Sequence, residues 1–308
     1  MTDESALAEA ARLLGDRATR DAPLGARTTY RVGGPAALFV TAEDDGDLRT
    51  VGRVATETGI PALVLGRGSN LLVADDGFRG IVLVLGDGFG GVDVDRDASI
   101  VTAGAAAPLP TVARVSAAAA LVGLEWAVGI PGSVGGAVRM NAGGHGAETV
   151  DCLEAWSFVD LLGGPEGQRT PNELRAGYRE SAVQSHHVVT WARFRAERGR
   201  REDAEAAIAE IVRWRRDHQP GGQNAGSVFT NPPDDSAGRL IDAAGCKGLR
   251  VGSAEVSPRH ANFIQADPGG RSSDVLALVA EVRRRVADAT GVTLEPELRL
   301  VGFGRSPW

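Results

Sequence analysis

Two glycine-rich segments carry the residue types that could hold an anion against the backbone. Gly66-Arg67-Gly68-Ser69-Asn70 follows the apolar run Pro61 to Leu65 and opens with Gly-x-Gly. Successive backbone N–H groups in such a loop, with Ser69 and Asn70 beside them, can cradle phosphate oxygens as a nest. The third glycine of a dinucleotide fingerprint is missing, however, and Leu71-Leu-Val73 continues as strand rather than as a helix whose N-terminus would receive a pyrophosphate. Taken alone, this segment reads equally as a tight surface turn. The second stretch, Gly129 to Gly144, holds six glycines in sixteen residues, among them Gly129, Gly132, Gly135 and Gly136 beside Pro131 and Ser133. That density is destabilising inside regular structure unless something needs the backbone close. A bulky anionic ligand meets that condition; a glycine-rich turn between close-packed strands is the other reading. A nucleoside-triphosphatase phosphate loop is excluded, because no Gly-Lys-Ser/Thr ends the run.

Other residues are ambiguous one at a time. Ser227 lies in Asn224-Ala-Gly-Ser-Val-Phe229 and reads singly as part of a polar turn. Tyr178-Arg179 reads as a surface pair, and Glu297 with Arg299 as an alternating ion pair on a terminal strand. His145, His186, His187 and His218 show no pattern with Cys or carboxylates, so no metal site is expected. Asp75-Asp76 and Asp234-Asp235 read as solvated turn residues. Cys152 and Cys246 are the only cysteines and lie far apart in sequence, which implies neither a disulfide framework nor metal-ligand spacing.

The elements that must position these residues follow from periodicity. Leu7, Ala10, Ala11 and Leu14 lie at helical spacing, with Asp3 or Glu4 at the favourable N-terminal end. Ala36 to Val40, Asp47 to Gly59 and Pro61 to Leu65 read as strand, helix, strand. The apolar runs Leu71 to Val73, Ile81 to Leu85 and Ser99 to Ala103 then arrive too quickly for helices between them, so the middle is mostly sheet. One helix, Leu109 to Leu121, interrupts it, and the strand Val188 to Phe194 closes it. The charged stretch Arg195 to Asp203 reads as a hinge, which puts a domain boundary near 200. Helices follow at Ala204 to His218, Ala237 to Ala244 and Asp274 to Thr290, the last capped by Ser272 or Ser273 and stopped by Gly291.

Thr28-Thr-Tyr-Arg-Val-Gly-Gly34, the Gly66-Arg-Gly-Ser-Asn70 loop and Gly129-Ile-Pro-Gly-Ser-Val-Gly-Gly136 together resemble the UDP-N-acetylenolpyruvoylglucosamine reductase family. Tyr178-Arg-Glu-Ser181, Ala225-Gly-Ser-Val-Phe-Thr-Asn-Pro232, Leu240-Ile-Asp-Ala-Ala-Gly-Cys-Lys-Gly248, His260-Ala-Asn-Phe-Ile264 and Leu294-Glu-Pro-Glu-Leu-Arg299 continue it in the family's order and spacing. Residues 20 to 303 are covered, which removes the weight of chance from any one short motif. The resemblance implies an α+β protein with an N-terminal helix (1–20) and a two-part FAD-binding region of the vanillyl-alcohol-oxidase type (21–200, its lobes meeting near 85). A mixed α+β substrate-binding domain (201–308) follows.

In such a protein NADPH reduces FAD, and the reduced flavin passes hydride to the methylene end of the enolpyruvyl group of UDP-N-acetylglucosamine enolpyruvate. The product is UDP-N-acetylmuramate, a peptidoglycan precursor used in cell-wall synthesis. By the resemblance, Gly66, Arg67, Gly68, Ser69, Asn70, Gly129, Pro131, Gly132, Ser133, Gly135 and Gly136 hold FAD. Arg179 and Glu297 match the pair that stabilises the developing charge, and Ser227 matches the proton donor. Asn231, Lys247, His260 and Arg299 match positions of substrate contact. An arginine suits its role because a permanently charged guanidinium grips a carboxylate through two hydrogen bonds. A glutamate near anionic charge helps only when protonated or donating through neighbours, so Glu297 is expected to be partly desolvated. Thr230 stands where the family often has Lys, and the chain is too short between Arg179 and Ser227 for the tyrosine-bearing lid insertion of the longer family form.

Composition sets the outer limits. A net charge of −7 and a pI near 5.4 offer no general attraction to nucleic acid or to an anionic membrane, and no apolar stretch approaches the length of a membrane span. Met1 to Ala11 lacks a basic region followed by an apolar run, so no secretory signal is read, and with two isolated cysteines a cytoplasmic location is the expectation; a monomer is expected separately. Two other functions compete: a flavin oxidase or dehydrogenase of the same cofactor fold with another substrate, and a non-catalytic nucleotide-sugar binding protein that has lost its flavin.

Overall fold

A computed structural model describes residues 4–304; Asp3, read above as favouring the first helix, lies outside the described residues. The chain divides into two compact units, each assembled from three separate stretches.

The first unit comprises 1–20, 38–67 and 79–215. One of its sheets orders the strands Ala18–Ala22, Ala36–Ala42, Phe78–Leu85 and Ala62–Leu65, with the last two parallel. The helix Asp45–Thr58 joins the second and fourth of these, so the strand-helix-strand reading holds, although Phe78–Leu85 sits between the two strands. The Asp44 side chain caps this helix by accepting the Asp47 N–H at 2.9 Å. Leu48, Val51 and Val54 lie on one face and are fully buried, each contributing about 1.5–3 kcal/mol relative to exposure.

The second sheet of this unit is antiparallel throughout, in the order Gly167–Arg169, Leu153–Asp160, His187–Arg195, Ile100–Gly104, Val92–Asp95. Val101, Ala103, Trp156, Phe158 and Phe194 pack from it against Leu109 and Val112 of the helix Leu109–Ala118. Residues 195–203, expected to form a hinge, instead carry the strand Glu197–Arg198, which pairs with Leu121–Val122. The helix Arg201–His218 begins directly after it and buries Ala204 and Ile208 in this same core. The charges that suggested a linker are the solvated face of anchored structure.

The second unit comprises 21–37, 68–78 and 216–308. Its core brings Tyr30, Val32 and Leu72 together with Phe229, Leu240, Ile241 and the buried face of the helix Ser272–Thr290. Leu71–Val73 pairs in parallel with Arg299–Val301, and Arg250–Val251, Ala254–Val256 and Ile264–Ala266 form an antiparallel meander. The Tyr30 hydroxyl is buried with no hydrogen-bond partner, and burial pushes its pKa up.

The long helix of this unit is not capped as its sequence suggests. Its N-cap residue is Arg271, which makes no side-chain cap bond, and Ser272 and Ser273 lie inside the first turn as donors. Asp75 receives them: Oδ1 accepts from Ser272 N–H (2.8 Å) and Oγ (2.9 Å), and Oδ2 from Ser273 N–H (3.3 Å) and Oγ (2.8 Å). Burial alone would raise this carboxyl's pKa, but the four donors outweigh it and the net shift is downward. Asp75 is therefore a cap supplied from another segment, not a solvated turn residue.

Candidate active site

In the first unit, a cavity of about 190 Å³ opens beside the end of the strand Ala62–Leu65. It is lined by Gly66, Arg67, Ser133, Gly135, Gly136 and Arg139 together with apolar residues including Val64, Leu65, Val84 and Val189. The glycine run here is not a loop throughout, because Val134–Met140 is a helix whose N-cap, Ser133, accepts the Gly136 N–H at 3.4 Å. Val134 and Gly135 donate their N–H groups to Ala107 and Ala105, at 3.0 and 2.9 Å, so the segment is docked by backbone pairing. A Cβ on Gly66 would fall 2.7 Å from Ser133 Oγ, so a larger residue there would displace the hydroxyl that caps the helix Val134–Met140. Of the residues expected to hold a cofactor, five line this cavity: Gly66, Arg67, Ser133, Gly135 and Gly136. Gly129, Pro131 and Gly132 lie earlier on the same stretch and are not among its lining residues.

Between Arg67 and Gly68 the chain passes into the second unit. Gly68 there accepts the Thr29 N–H at 3.1 Å, and Asn70 directs its side-chain amide to the Glu297 carbonyl at 3.1 Å.

Arg179, also of the first unit, sits in the left-handed backbone region at φ 61° on a turn closed by mutual Gly177–Glu180 hydrogen bonds. A non-glycine residue there is strained by about 1–2 kcal/mol, and such strain clusters at functional sites. Arg179 donates Nη2–H to the Gly143 carbonyl at 2.8 Å and lies over the Tyr178 ring at 5.0 Å. The turn is anchored by Asn141, which is buried and donates its amide to the Gly177 carbonyl at 3.0 Å. Nothing in the sequence of the glycine-rich run sets Asn141 apart, since its partner Gly177 lies on another segment.

In the second unit, a concavity of about 500 Å³ gathers Ser227, Asn231, Lys247 and His260, four residues read separately from the sequence. Arg239, Arg259 and Asn262 line it too and were not singled out. Ser227 is half-buried and follows Gly226, whose φ of 76° belongs to a turn in which the Asn224 side chain accepts the Gly226 N–H at 3.0 Å. The turn read at this position is real, and it presents the serine. Arg239 is paired with Asp235, and Lys247 with Asp242 at 2.7 Å. Arg259 donates Nη1–H to the carbonyls of Arg216 and Gln219, at 3.0 and 3.3 Å. Three cations against one lining carboxylate, Asp242, suit an anionic ligand. Asn231 uses its side-chain oxygen to accept the Ala237 N–H at 3.0 Å. His260 is half-buried with Nδ1 unpartnered; burial first, and then the Lys247 charge, lower its pKa.

Glu297 is half-buried, and its backbone N–H donates to the Val228 carbonyl at 2.8 Å, one residue after Ser227. Arg299 is exposed and donates its N–H to the Asn70 carbonyl at 3.0 Å. Thr230 turns its hydroxyl to the Glu295 carbonyl at 3.2 Å and is not among the residues lining the concavity.

One further cluster was not visible in the sequence. Asp160, His186 and His187 come together in the first unit, both imidazole Nε2 atoms standing 3.9 Å from the carboxylate. His187 Nδ1 accepts the Gln184 N–H at 3.2 Å, which fixes the proton of the neutral ring on Nε2, facing Asp160. A metal ligand needs that nitrogen bare and the other ring N–H donating outward, so the group is an imidazole–carboxylate pairing. Cys152, whose thiol burial pushes up to about 12, and Cys246 are both free and neither is an activated nucleophile. Among the described residues no helix is long and apolar enough to cross a membrane.

Comparisons with known proteins add to this geometry. The family model for the UDP-N-acetylenolpyruvoylglucosamine reductase C-terminal domain matches residues 218–301, and the one for an FAD binding domain matches residues 36–164. A UDP-N-acetylenolpyruvoylglucosamine reductase of Rubrobacter xylanophilus is 42% identical over 92% of this chain and 94% of its own length. One from Heliobacterium modesticaldum is 44% identical over 91% of this chain and 89% of its own. The crystal structure of the Thermus caldophilus UDP-N-acetylenolpyruvylglucosamine reductase superposes with a TM-score of 0.80 at 40% identity, over 92% of this chain and 99% of that one. The expected architecture, a flavin-type α+β region followed by a mixed α+β domain, is the one these matches share.

Proposed function

Because the chain belongs to the UDP-N-acetylenolpyruvoylglucosamine reductase family, we propose that it reduces UDP-N-acetylglucosamine enolpyruvate to UDP-N-acetylmuramate with FAD as cofactor and NADPH as reductant. The reaction belongs to the making of peptidoglycan precursors, and the free thiols of Cys152 and Cys246 suit a reducing cytoplasm. The observation that carries the reading is the concavity where Ser227 shares one wall system with Asn231, Lys247 and His260 among three cations.

The residues of the first-unit cavity fit FAD. Arg67 and Arg139 with the glycine backbone suit a pyrophosphate, and the apolar lining residues suit an uncharged ring system. When bound, FAD supplies the hydride that NADPH provides. Addition of that hydride to the methylene carbon of the enolpyruvyl group leaves negative charge delocalised toward the substrate carboxylate. Arg179 and Glu297 take the role of stabilising that charge, the first as a permanent cation and the second as a half-buried acid. Ser227 Oγ–H then protonates the adjacent carbon, forming the second C–H bond that saturates the enolpyruvyl double bond, and the serine regains its proton from water. A hydroxyl is a weak acid, but the carbanionic intermediate is a strong base, and fixed short range replaces acidity. Lys247, Arg239 and Arg259 provide the cationic surface for the diphosphate.

The test is NADPH oxidation by the flavin-loaded protein with and without UDP-N-acetylglucosamine enolpyruvate. Substrate-dependent turnover is expected; flavin loading without it would favour an oxidase of the same cofactor fold. Ser227→Ala should leave flavin reduction by NADPH intact and nearly abolish reoxidation by the enolpyruvyl substrate. Equal slowing of both half-reactions would remove the proton-donor assignment.

A further inference from the structure

Ser227 and Glu297 do not sit on regular strands. Their backbones run side by side through single bridges, Ser227 with Phe263 and Phe229 with Pro296, where ordinary ladder pairing is incomplete. Two asparagines fill the gaps. Asn262, 3% exposed, accepts the Phe229 N–H on Oδ1 at 2.9 Å and donates Nδ2–H to the Phe229 carbonyl at 2.8 Å. Its own carbonyl accepts the Val228 N–H at 2.9 Å. On the far side of the same layer, Asn70 donates Nδ2–H to the Glu297 carbonyl at 3.1 Å and accepts the Arg299 N–H on its main-chain carbonyl at 3.0 Å. Between these clamps, Glu297 N–H reaches the Val228 carbonyl at 2.8 Å and Thr230 N–H the Glu295 carbonyl at 2.9 Å. The order across the layer is therefore Asn262, the Ser227 stretch, the Glu297 stretch, Asn70.

We propose that Asn70 is a positioning residue for proton delivery: its amide fixes the Glu297 backbone, and through the Glu297–Val228 bond it fixes Ser227, with Asn262 as the opposing clamp. This reassigns Asn70, which local sequence places in a phosphate-cradling loop, and it rests on the reading of Ser227 as proton donor. The physical reason is distance sensitivity. A hydroxyl that transfers its proton only at short range loses rate steeply when its support shifts by about 1 Å, a displacement worth on the order of a hundredfold in rate.

The experiment uses the full chain, loaded with FAD, carrying Asn70→Ala or the nearly isosteric Asn70→Asp, which sets a carboxylate oxygen against the Glu297 carbonyl. Flavin affinity is read by fluorescence quenching, and the two half-reactions separately by anaerobic stopped-flow. Reoxidation by the enolpyruvyl substrate should slow at least tenfold at saturating substrate. Flavin reduction by NADPH should stay within twofold and flavin affinity within threefold. In the Ser227→Ala background, Asn70→Asp should add little further slowing, since residues acting through one step are not additive. Weakened flavin affinity with normal reoxidation at saturating FAD would overturn the proposal and return Asn70 to cofactor binding. Equal slowing of both half-reactions would overturn it as well. Should Ser227→Ala itself leave reoxidation intact, the proton-donor reading fails first, an outcome distinguishable from failure at Asn70 alone.

Discussion

His260 is held neutral by its surroundings. Burial lowers its pKa most, the Lys247 ammonium acts in the same direction, and only a hydrogen bond with its own backbone opposes them. At pH 7 the ring in the concavity is uncharged, and its Nδ1 has no partner on any other residue. Because the folded pKa lies below the unfolded value of about 6.5, the unfolded chain binds more protons as the pH falls. The contribution of the neutral ring to stability is present above about pH 6.5 and is lost on acidification through the folded pKa. NMR titration of His260 should give a midpoint below 6.5, and Lys247→Met should move it upward; a midpoint at or above the ordinary value would show the ring solvated and paired. At this scale the sequence was informative wherever residues sit in one contiguous motif. Ser227 and Asn231 belong to one segment and His260 to another, and both segments face the same concavity. Asn70 was not legible, because its amide partner is 227 positions away and nothing in Gly66 to Asn70 points to it.

Helices were legible from their apolar spacing, and the last one also from its stop at Gly291, but its N-terminal cap was not. Asp45–Thr58 and Ser272–Thr290 appear close to where the 3.6-residue pattern puts them. The serines before the second helix look like caps, yet they donate to Asp75, 197 and 198 positions earlier in the chain. A local rule about serine cannot see a carboxylate delivered by tertiary structure. Asp75→Ala removes an N-terminal anion and four accepted hydrogen bonds, so unfolding free energy should fall by about 1–2 kcal/mol at pH 7. The sign with pH follows from the depressed pKa: the stabilisation is complete above the unfolded carboxylate pKa of about 4 and is lost as pH falls through the folded value. Urea unfolding of both proteins at pH 7 and near pH 2 should show the gap closing. A gap that persists unchanged in acid would mean that Asp75 acts by packing instead.

On the scale of the whole molecule, the second unit is not a continuous piece of sequence. The charged stretch near residue 200 suggested a single cut, but composition cannot reveal that 21–37 and 68–78 return to a core built mainly from 216–308. Tyr30, Val32 and Leu72 are buried in that core, at 0%, 3% and 0% exposure. The strand Arg299–Val301 has Leu71–Val73 as its ladder partner. A fragment of residues 216–308 would lack all of these. Burial of Val32 and Leu72 is worth about 1.5–3 kcal/mol each, and a domain's whole stability is about 5–15 kcal/mol. The fragment would also leave unpaired the strand that follows Glu297, and would drop both the Asp75 cap and the Asn70 clamp. It should therefore be unfolded when expressed alone, with collapsed amide dispersion and no cooperative transition in urea, while the full chain unfolds cooperatively. Supplying 21–37 and 68–78 on the same chain should restore the transition. A fragment 216–308 that folds cooperatively by itself would mean that the two N-terminal stretches are carried by this core without supporting it, and that Glu297 is held without Asn70.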